Sequence, residues 1–150
     1  MKAIERILFK VSGDLIENPE VLNDIKETAK DWSKCVDLIF GCGTQASKEL
    51  DNADIPYEYI NSIRETIPEG LEMILKVSNE IQLVLTRELK GYNIHIIPTT
   101  RRINGRIENL NGDDMVLMRY KKYDKVIIYT LEGRNKDKFK ELKNIEIIYK

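Results

Sequence analysis

Ile7-Leu8-Phe9-Lys10-Val11-Ser12-Gly13 and, further on, Val36-Asp37-Leu38-Ile39-Phe40-Gly41-Cys42-Gly43-Thr44-Gln45 decide how this chain folds. Each is a short apolar run that ends in glycine and leads into a helical pattern. Such a run reads as a strand buried on both faces. A glycine turn from strand to helix leaves the first backbone N–H groups of the helix unpaired, where they suit a phosphate or carboxylate. With Lys10 just ahead of the first turn, the two stretches predict a site for a small anionic metabolite.

Strand and helix patterns alternate along the rest of the chain. Residues 5–11 read as a strand. Pro19 to Asp31 reads as a helix, with Asn18 at the N-cap and Pro19 at the first helical position. A strand at 36–40 precedes a helix from Thr44 to Leu50, and residues 51–63 read as irregular. Thr66-Ile67-Pro68-Glu69 has the pattern of a capping box with Thr66 as the cap. It opens a long helix whose stripe runs through Leu71, Ile74, Leu75, Ser78, Ile81, Leu85 and Leu89 to Lys90-Gly91. Tyr92 to Ile97 reads as a strand stopped by Pro98, and Asn104-Gly105 as a hairpin turn within a polar, basic stretch. A helix at 113–121, a strand at 125–130, a helix at 134–142 and a strand at 145–149 complete the pattern. Alternation of this kind predicts an α/β fold, a three-layer α/β/α sandwich around a mainly parallel sheet, in one domain over 1–150. Ligands then bind outside the carboxyl ends of the strands, the edge that carries Lys10, Gly13, Gly41 and Gly43.

Composition excludes several classes of partner. Lys and Arg number 24 against 25 Asp and Glu, so no charge excess draws the chain to nucleic acid or to an anionic membrane. No apolar run approaches the roughly 20 residues that cross a bilayer. Met1-Lys2-Ala3-Ile4-Glu5 lies too close to the first strand for a signal peptide, and the expected location is cytoplasmic. The basic stretch Arg134–Lys143 also contains Asp137 and Glu141 and reads as a solvated helix face. Cys35 and Cys42 flank one strand, a spacing that fits no metal site. Cys35 reads as a partly buried reduced thiol. Cys42 sits inside the glycine turn, where helix N–H groups would lower its pKa, but no base lies near it in sequence. His95, the only histidine, reads as a packed or edge residue of its strand.

A third segment, Asn109-Leu110-Asn111-Gly112-Asp113-Asp114, precedes the strand Lys125–Thr130. In this order the segments resemble the amino-acid kinase family, which includes acetylglutamate, aspartate, carbamate and uridylate kinases. Lys10-Val11-Ser12-Gly13 is similar to the lysine-and-glycine end of that family's first strand, and Gly41-Cys42-Gly43 to the glycine triplet that ends its second. Asn61-Ser62-Ile63-Arg64-Glu65-Thr66 and Asn109–Asp113 resemble acetylglutamate kinase segments. The resemblance runs from about residue 5 to residue 133 and implies a carbamate-kinase-like fold, shortened. It further implies that Lys10 neutralises a phosphoryl group in transfer and that Asp113 orients the lysine. Gly13, Gly41 and Gly43 would offer N–H groups, Arg64 would grip an acceptor carboxylate or phosphate, and Asn109 would hold a polar group of the acceptor. ATP and Mg2+ are the implied cosubstrate and metal, and the long helix is where some members form dimers. The bland readings stand beside these: a tight turn for Gly41 and Gly43, a solvent-exposed side chain for Arg64, and a helix cap for Asp113.

The pattern also departs from the family. Thr130-Leu131-Glu132-Gly133 stands where the family carries aspartates, and the later lysine that assists transfer in some members has no evident counterpart. Cys42 replaces a glycine and would crowd the phosphate. Residues 134–150 then read as a vestigial nucleotide half. Two functions are expected from this: an ATP-dependent kinase, or a non-catalytic regulatory protein that keeps the anion site, alone or with a partner subunit.

Overall fold

The structure, a computed structural model, describes residues 3–150. In chain order the elements are β1 (Glu5–Val11), α1 (Pro19–Ala29), β2 (Lys34–Phe40), α2 (Gly43–Asn52), β3 (Tyr57–Ile60), β4 (Ile63–Thr66), α3 (Pro68–Glu88), β5 (Ile94–Pro98), β6 (Thr100–Ile103), β7 (Arg106–Asn109), α4 (Gly112–Arg119), β8 (Lys125–Thr130) and β9 (Ile145–Tyr149). Five strands form one sheet in the order β5-β2-β1-β8-β9, and every neighbouring pair is parallel. β3–β4 and β6–β7 are separate antiparallel hairpins.

Side-chain alternation along β1 separates the two faces of the sheet. Ile7, Phe9 and Val11 pack with Val21, Leu22 and Ile25 of α1 and with Leu85 and Leu89 at the end of α3. Leu8 faces the other way, with Ile39, Val126 and Ile128, onto Met115 and Val116 of α4. This makes the three layers expected from the alternation. Lys10 shares the face of Leu8, so the central strand aims its lysine at the start of α4. The stripe on α3 is used within the chain's own core: Ile74 and Val77 pack against Ala46 and Leu50 of α2, and Leu85 against α1 and the sheet. Asn18 caps α1 as expected, its Oδ1 accepting from the N–H groups of Glu20 and Val21.

Three local expectations are corrected. The stretch 51–63 is not irregular throughout; from Tyr57 it enters the β3–β4 hairpin, turned by Asn61 and Ser62 at φ of 51° and 66°. No glycine marks this turn, so the sequence hides it. Thr66 is not the cap of α3. It pairs with Tyr57 in the hairpin and donates through Oγ1 to the Pro56 carbonyl, and the helix starts at Pro68 after an Ile67 that caps without its side chain. Residues 134–142 form no helix but a single 3-10 turn at Asp137–Phe139. Asn135 Oδ1 accepts from the Asp137 N–H at 2.8 Å, a local bond that competes with helix propagation, and Phe139 is buried against α4 and β8. Among the described residues no helix is long and apolar enough to cross a membrane.

Because Phe9 is fully buried in the central strand and stacks near Tyr129, Phe9→Ala is expected to cost about 3–5 kcal/mol in urea unfolding. A loss below about 1 kcal/mol would contradict this placement of the core.

Candidate functional site

At the carboxyl edge of the sheet a cleft of about 430 Å³ collects Lys10, Gly13, Gly41, Gly43 and Asp113, five of the residues singled out from the sequence. Ser12, Thr44, Asn111, Arg134 and Lys136 line the same cleft and were not singled out.

Charge in the cleft is organised around one carboxylate. Asp113, in the first turn of α4, is 7% exposed. Its Oδ1 lies 3.4 Å from Lys10 Nζ, and its Oδ2 accepts from Lys136 Nζ at 2.7 Å with Lys138 Nζ at 3.2 Å. Burial by itself would raise the Asp113 carboxyl, but Lys10 first, then Lys136 and Lys138, outweigh it and hold the group at about 2. Burial lowers the Lys10 pKa, opposed by Asp113 and reinforced by the two other lysines. Three cations therefore face one anion, and the surplus positive charge borders the cleft. The cap of α4 is Asn111 rather than Asp113: Asn111 Oδ1 accepts from the Asp114 N–H, which leaves Asp113 to the lysines. Gly112 makes room for this arrangement, since a Cβ there would lie 2.8 Å from Lys10 Cε.

The charged residues of Arg134–Lys143 are exposed as expected of a solvated face, except Lys136, which corrects the expectation at that position. The Lys136 side chain is 10% exposed inside the cleft, and Arg134 lies 3.7 Å from Asp14 across its rim. A second lysine beside Asp113 does exist, and it comes from the segment read as vestigial. The sequence signal for it is the pair Phe139 and Leu142, apolar residues within a charged stretch.

The two glycine turns differ in what they do. Gly13 is required by packing, since a Cβ there would meet Gln45 Oε1 at 2.7 Å and the Gly41 carbonyl at 2.9 Å. Gln45 fastens the turns together, donating from Nε2 to the Gly13 carbonyl at 2.6 Å. Gly41 and Gly43 have negative φ, and a Cβ on either would reach no protein atom closer than 3.9 Å. Neither the backbone nor the packing demands glycine at these positions; what a side chain would fill is the cleft. The Gly41 N–H donates to the Val11 carbonyl, so Gly41 contributes space rather than a donor. The first bond of α2 runs from the Ala46 N–H to the Cys42 carbonyl, and the N–H groups of Gly43, Thr44 and Gln45 precede it without intrahelical partners.

Arg64 and Asn109 line a neighbouring cavity of about 120 Å³ that shares Gly41, Gly43, Tyr59 and Asn111 with the cleft. Arg64 is buried, not exposed. Its Nη2 lies 2.6–2.7 Å from the Gly43 carbonyl, Ser47 Oγ and Tyr59 OH, and the Tyr57 and Tyr59 rings, in edge-to-face contact with each other, both lie 5.3 Å from the guanidinium. Nε is buried without a hydrogen-bond partner. Asn109 donates from Nδ2 to the Arg64 carbonyl and accepts from Thr100 Oγ1, so it joins β7 to β4. The structure brings the two residues together: Arg64 holds the second glycine turn through Nη2, and Asn109 holds Arg64 through its carbonyl.

Cys42 buries its side chain with Ala46 and Leu50, away from the cleft. Burial raises its pKa against the opposing influence of Arg64 and Thr100, which corrects the expected lowering. Cys35 is exposed rather than partly buried. His95 lies on the edge strand β5 with its side chain 74% exposed, 3.6 Å from Asp37. Among the described residues no three His, Cys, Asp or Glu side chains converge as a metal site.

Comparison with known proteins bears on this geometry. No established family profile matches the chain. Acetylglutamate kinase from Chloroflexus aggregans (strain MD-66 / DSM 9485) is 24% identical over 116 residues, which cover 77% of this chain and 42% of that protein. N-acetylglutamate synthase from Neisseria gonorrhoeae, solved with coenzyme A and L-arginine, superposes with a TM-score of 0.72 at 13% identity, covering 90% of this chain and 46% of that one. The fold is amino-acid-kinase-like. The smu.665 protein from Streptococcus mutans UA159 superposes with a TM-score of 0.61 at 16% identity, over 83% of this chain and 72% of that one. The chain spans less than half the length of the kinase and of the synthase.

The site generates a pH prediction. The Asp113 carboxyl lies at about 2 in the folded chain against an ordinary 3.8. A depressed folded value adds stability that is complete above the unfolded value and is lost as pH falls through the folded one. That contribution is about 2 kcal/mol. The stability advantage of the native chain over Asp113→Asn should therefore shrink between about pH 5 and about pH 2 in urea unfolding. An advantage that stays constant over this range would show that the lysines do not hold Asp113 ionised.

Proposed function

We propose that the cleft binds a small anionic metabolite through a phosphate or carboxylate group. The observation that carries this is Asp113 surrounded by Lys10, Lys136 and Lys138, with surplus positive charge beside a glycine turn that has open space in front of it. Lys10 and Lys136 supply the charge, and the free N–H groups at the start of α2 supply directed donors. Asp113 keeps both ammonium groups in position. Arg64 holds the Gly43 carbonyl and so fixes the turn from behind.

The same residues fit the phosphate tail of a nucleotide, and phosphoryl transfer is the reading this favours. The buried Lys10 and Lys136, on either side of Asp113, suit a group whose negative charge spreads in the transition state. ATP with Mg2+, when bound, would supply the phosphoryl group, and the lysines would stabilise it without any protein nucleophile. Asp113 is committed to the lysines and is not free to hold a metal by itself, while Asp14 lies at the rim, 3.7 Å from the exposed Arg134. A second reading is binding without chemistry. It is favoured by Asn109, both of whose amide atoms are used within the fold, and by Arg64, whose Nη2 is engaged by the Gly43 carbonyl, Ser47 and Tyr59 instead of an acceptor.

Calorimetric titration tests the binding site. Inorganic phosphate is expected to bind, and Lys10→Ala and Lys136→Ala are each expected to weaken it at least about tenfold. Because burial holds Lys10 below its ordinary 10.5, affinity should begin to fall at a pH below 10.5 as the ammonium is lost. Affinity that is unchanged in both variants would refute the site. Incubation with Mg-ATP and a panel of acidic metabolites separates the two readings: turnover abolished in Lys10→Ala supports transfer, and anion binding without turnover supports the second.

A further inference from the structure

The two edges of the central sheet are unlike each other. β5 ends in Pro98 and is packed by α3. β9 carries no proline and has aliphatic side chains on both faces: Ile145 and Ile147 lie toward α4, and Ile148 toward α1. Apolar residues on both faces mark a strand in the interior of a parallel sheet. Here they belong to an edge, and all three isoleucines remain only partly buried.

The register shows which backbone groups this edge leaves open. The Val126 N–H donates to the Asn144 carbonyl and the Lys150 N–H to the Thr130 carbonyl, while Val126 pairs with Ile145 and Thr130 with Tyr149. In a strand, successive residues turn their backbone groups to opposite sides. Glu146 and Ile148 therefore face β8, and Ile145, Ile147 and Tyr149 face outward. The Ile145 N–H returns to the Leu142 carbonyl at 3.3 Å. The N–H groups of Ile147 and Tyr149 and the carbonyls of Ile145, Ile147 and Tyr149 have no strand partner among the described residues. An uncovered row of this kind is a template for pairing with another chain, and natural edges usually blunt it with lysine, proline or a bulge. β9 has none of these between Ile145 and Tyr149. Its one charged residue, Glu146, is drawn sideways to Lys125 at 3.3 Å.

We propose that β9 pairs antiparallel with β9 of a second copy of this chain, about a two-fold axis through Ile147, so that two sheets become one. In this register Ile147 lies opposite its counterpart, and Ile145 lies opposite Tyr149 of the second copy. Each Ile147 N–H meets the opposite Ile147 carbonyl, and each Tyr149 N–H meets the opposite Ile145 carbonyl. Outward donors thus meet outward acceptors along the strand, whereas a shift by one residue would set outward groups against inward ones. The side chains agree with this occupant. Isoleucine meets isoleucine and tyrosine on the α4 side, Glu146 meets Ile148 on the other, and Asn144 meets Lys150, so no like charges face each other. The contact is closed and uses the same patch on both copies, so it ends at a dimer.

Light scattering coupled to size exclusion, run across a wide range of protein concentration, tests the proposal. The native chain is expected to run as a dimer that dissociates on dilution. Tyr149→Pro removes an outward N–H and costs no bond to β8. It should weaken the dimer at least tenfold while leaving the circular dichroism spectrum and the urea midpoint of the monomer unchanged. Ile147→Lys, which sets two ammonium groups together on the axis, is expected to weaken the dimer likewise, with a lower urea midpoint because Ile147 also packs toward α4. A chain that stays monomeric throughout overturns the proposal, as does a dimer that neither substitution weakens, since it must then form through another face. Phosphate titration of the same samples reads the cleft separately, since none of the β9 residues lines it.

Discussion

A buried lysine on the central strand of a sheet is the constraint on which the rest of this structure depends. Lys10 lies between Leu8 and the glycine turn on a face that is otherwise apolar, and an unpaired ammonium there would be costly. Asp113 supplies the counter-charge, and removing one partner of such a pair typically costs about 3–5 kcal/mol. Meeting that need fixes several other features. α4 must begin where its first turn reaches the end of β1, Asn111 must take over the cap, and Gly112 must lack a side chain so that the lysine stem can pass. Lys136 and Lys138 then overcompensate the carboxylate, and the requirement for neutrality becomes a site for an anion.

The second glycine turn is held by a different device. Arg64 lies against two neighbouring tyrosine rings and reaches the Gly43 carbonyl, Ser47 and Tyr59 from one nitrogen. It ties the β3–β4 hairpin to the start of α2, and Asn109 extends the tie to β7. The cleft therefore has one wall set by ion pairing and another set by hydrogen bonding to a carbonyl. Neither wall depends on Cys42, whose thiol turns into the core between them.

The parallel sheet and its carboxyl edge were legible because the strands are continuous apolar runs with glycine at their ends, a local signal. Lys10, Gly13, Gly41 and Gly43 could be placed together for the same reason, since each lies within a residue or two of a strand or helix end, whereas Asp113 joined them only through the resemblance in motif order. What stayed hidden depends on contacts between distant segments. The β3–β4 hairpin turns on Asn61 and Ser62 with no glycine to announce it, and Thr66 imitates a cap while serving as a strand residue. Lys136 was missed because Arg134–Lys143 has the mixed charge of a solvated helix. Only the tertiary attraction of Asp113 and the burial of Phe139 turn it inward. An amino-acid-kinase-like fold was readable from motif order, and superposition on N-acetylglutamate synthase bears it out at an identity too low to carry function with it.

The central claim is that the Lys10–Asp113–Lys136 cluster and the start of α2 form one anion site. Amide chemical shifts followed during titration with inorganic phosphate test it most directly. The account predicts saturable shifts concentrated at Gly43, Thr44 and Lys136, lost in Lys10→Ala. Shifts that are absent, or that gather elsewhere on the fold with the same affinity in Lys10→Ala, would contradict it.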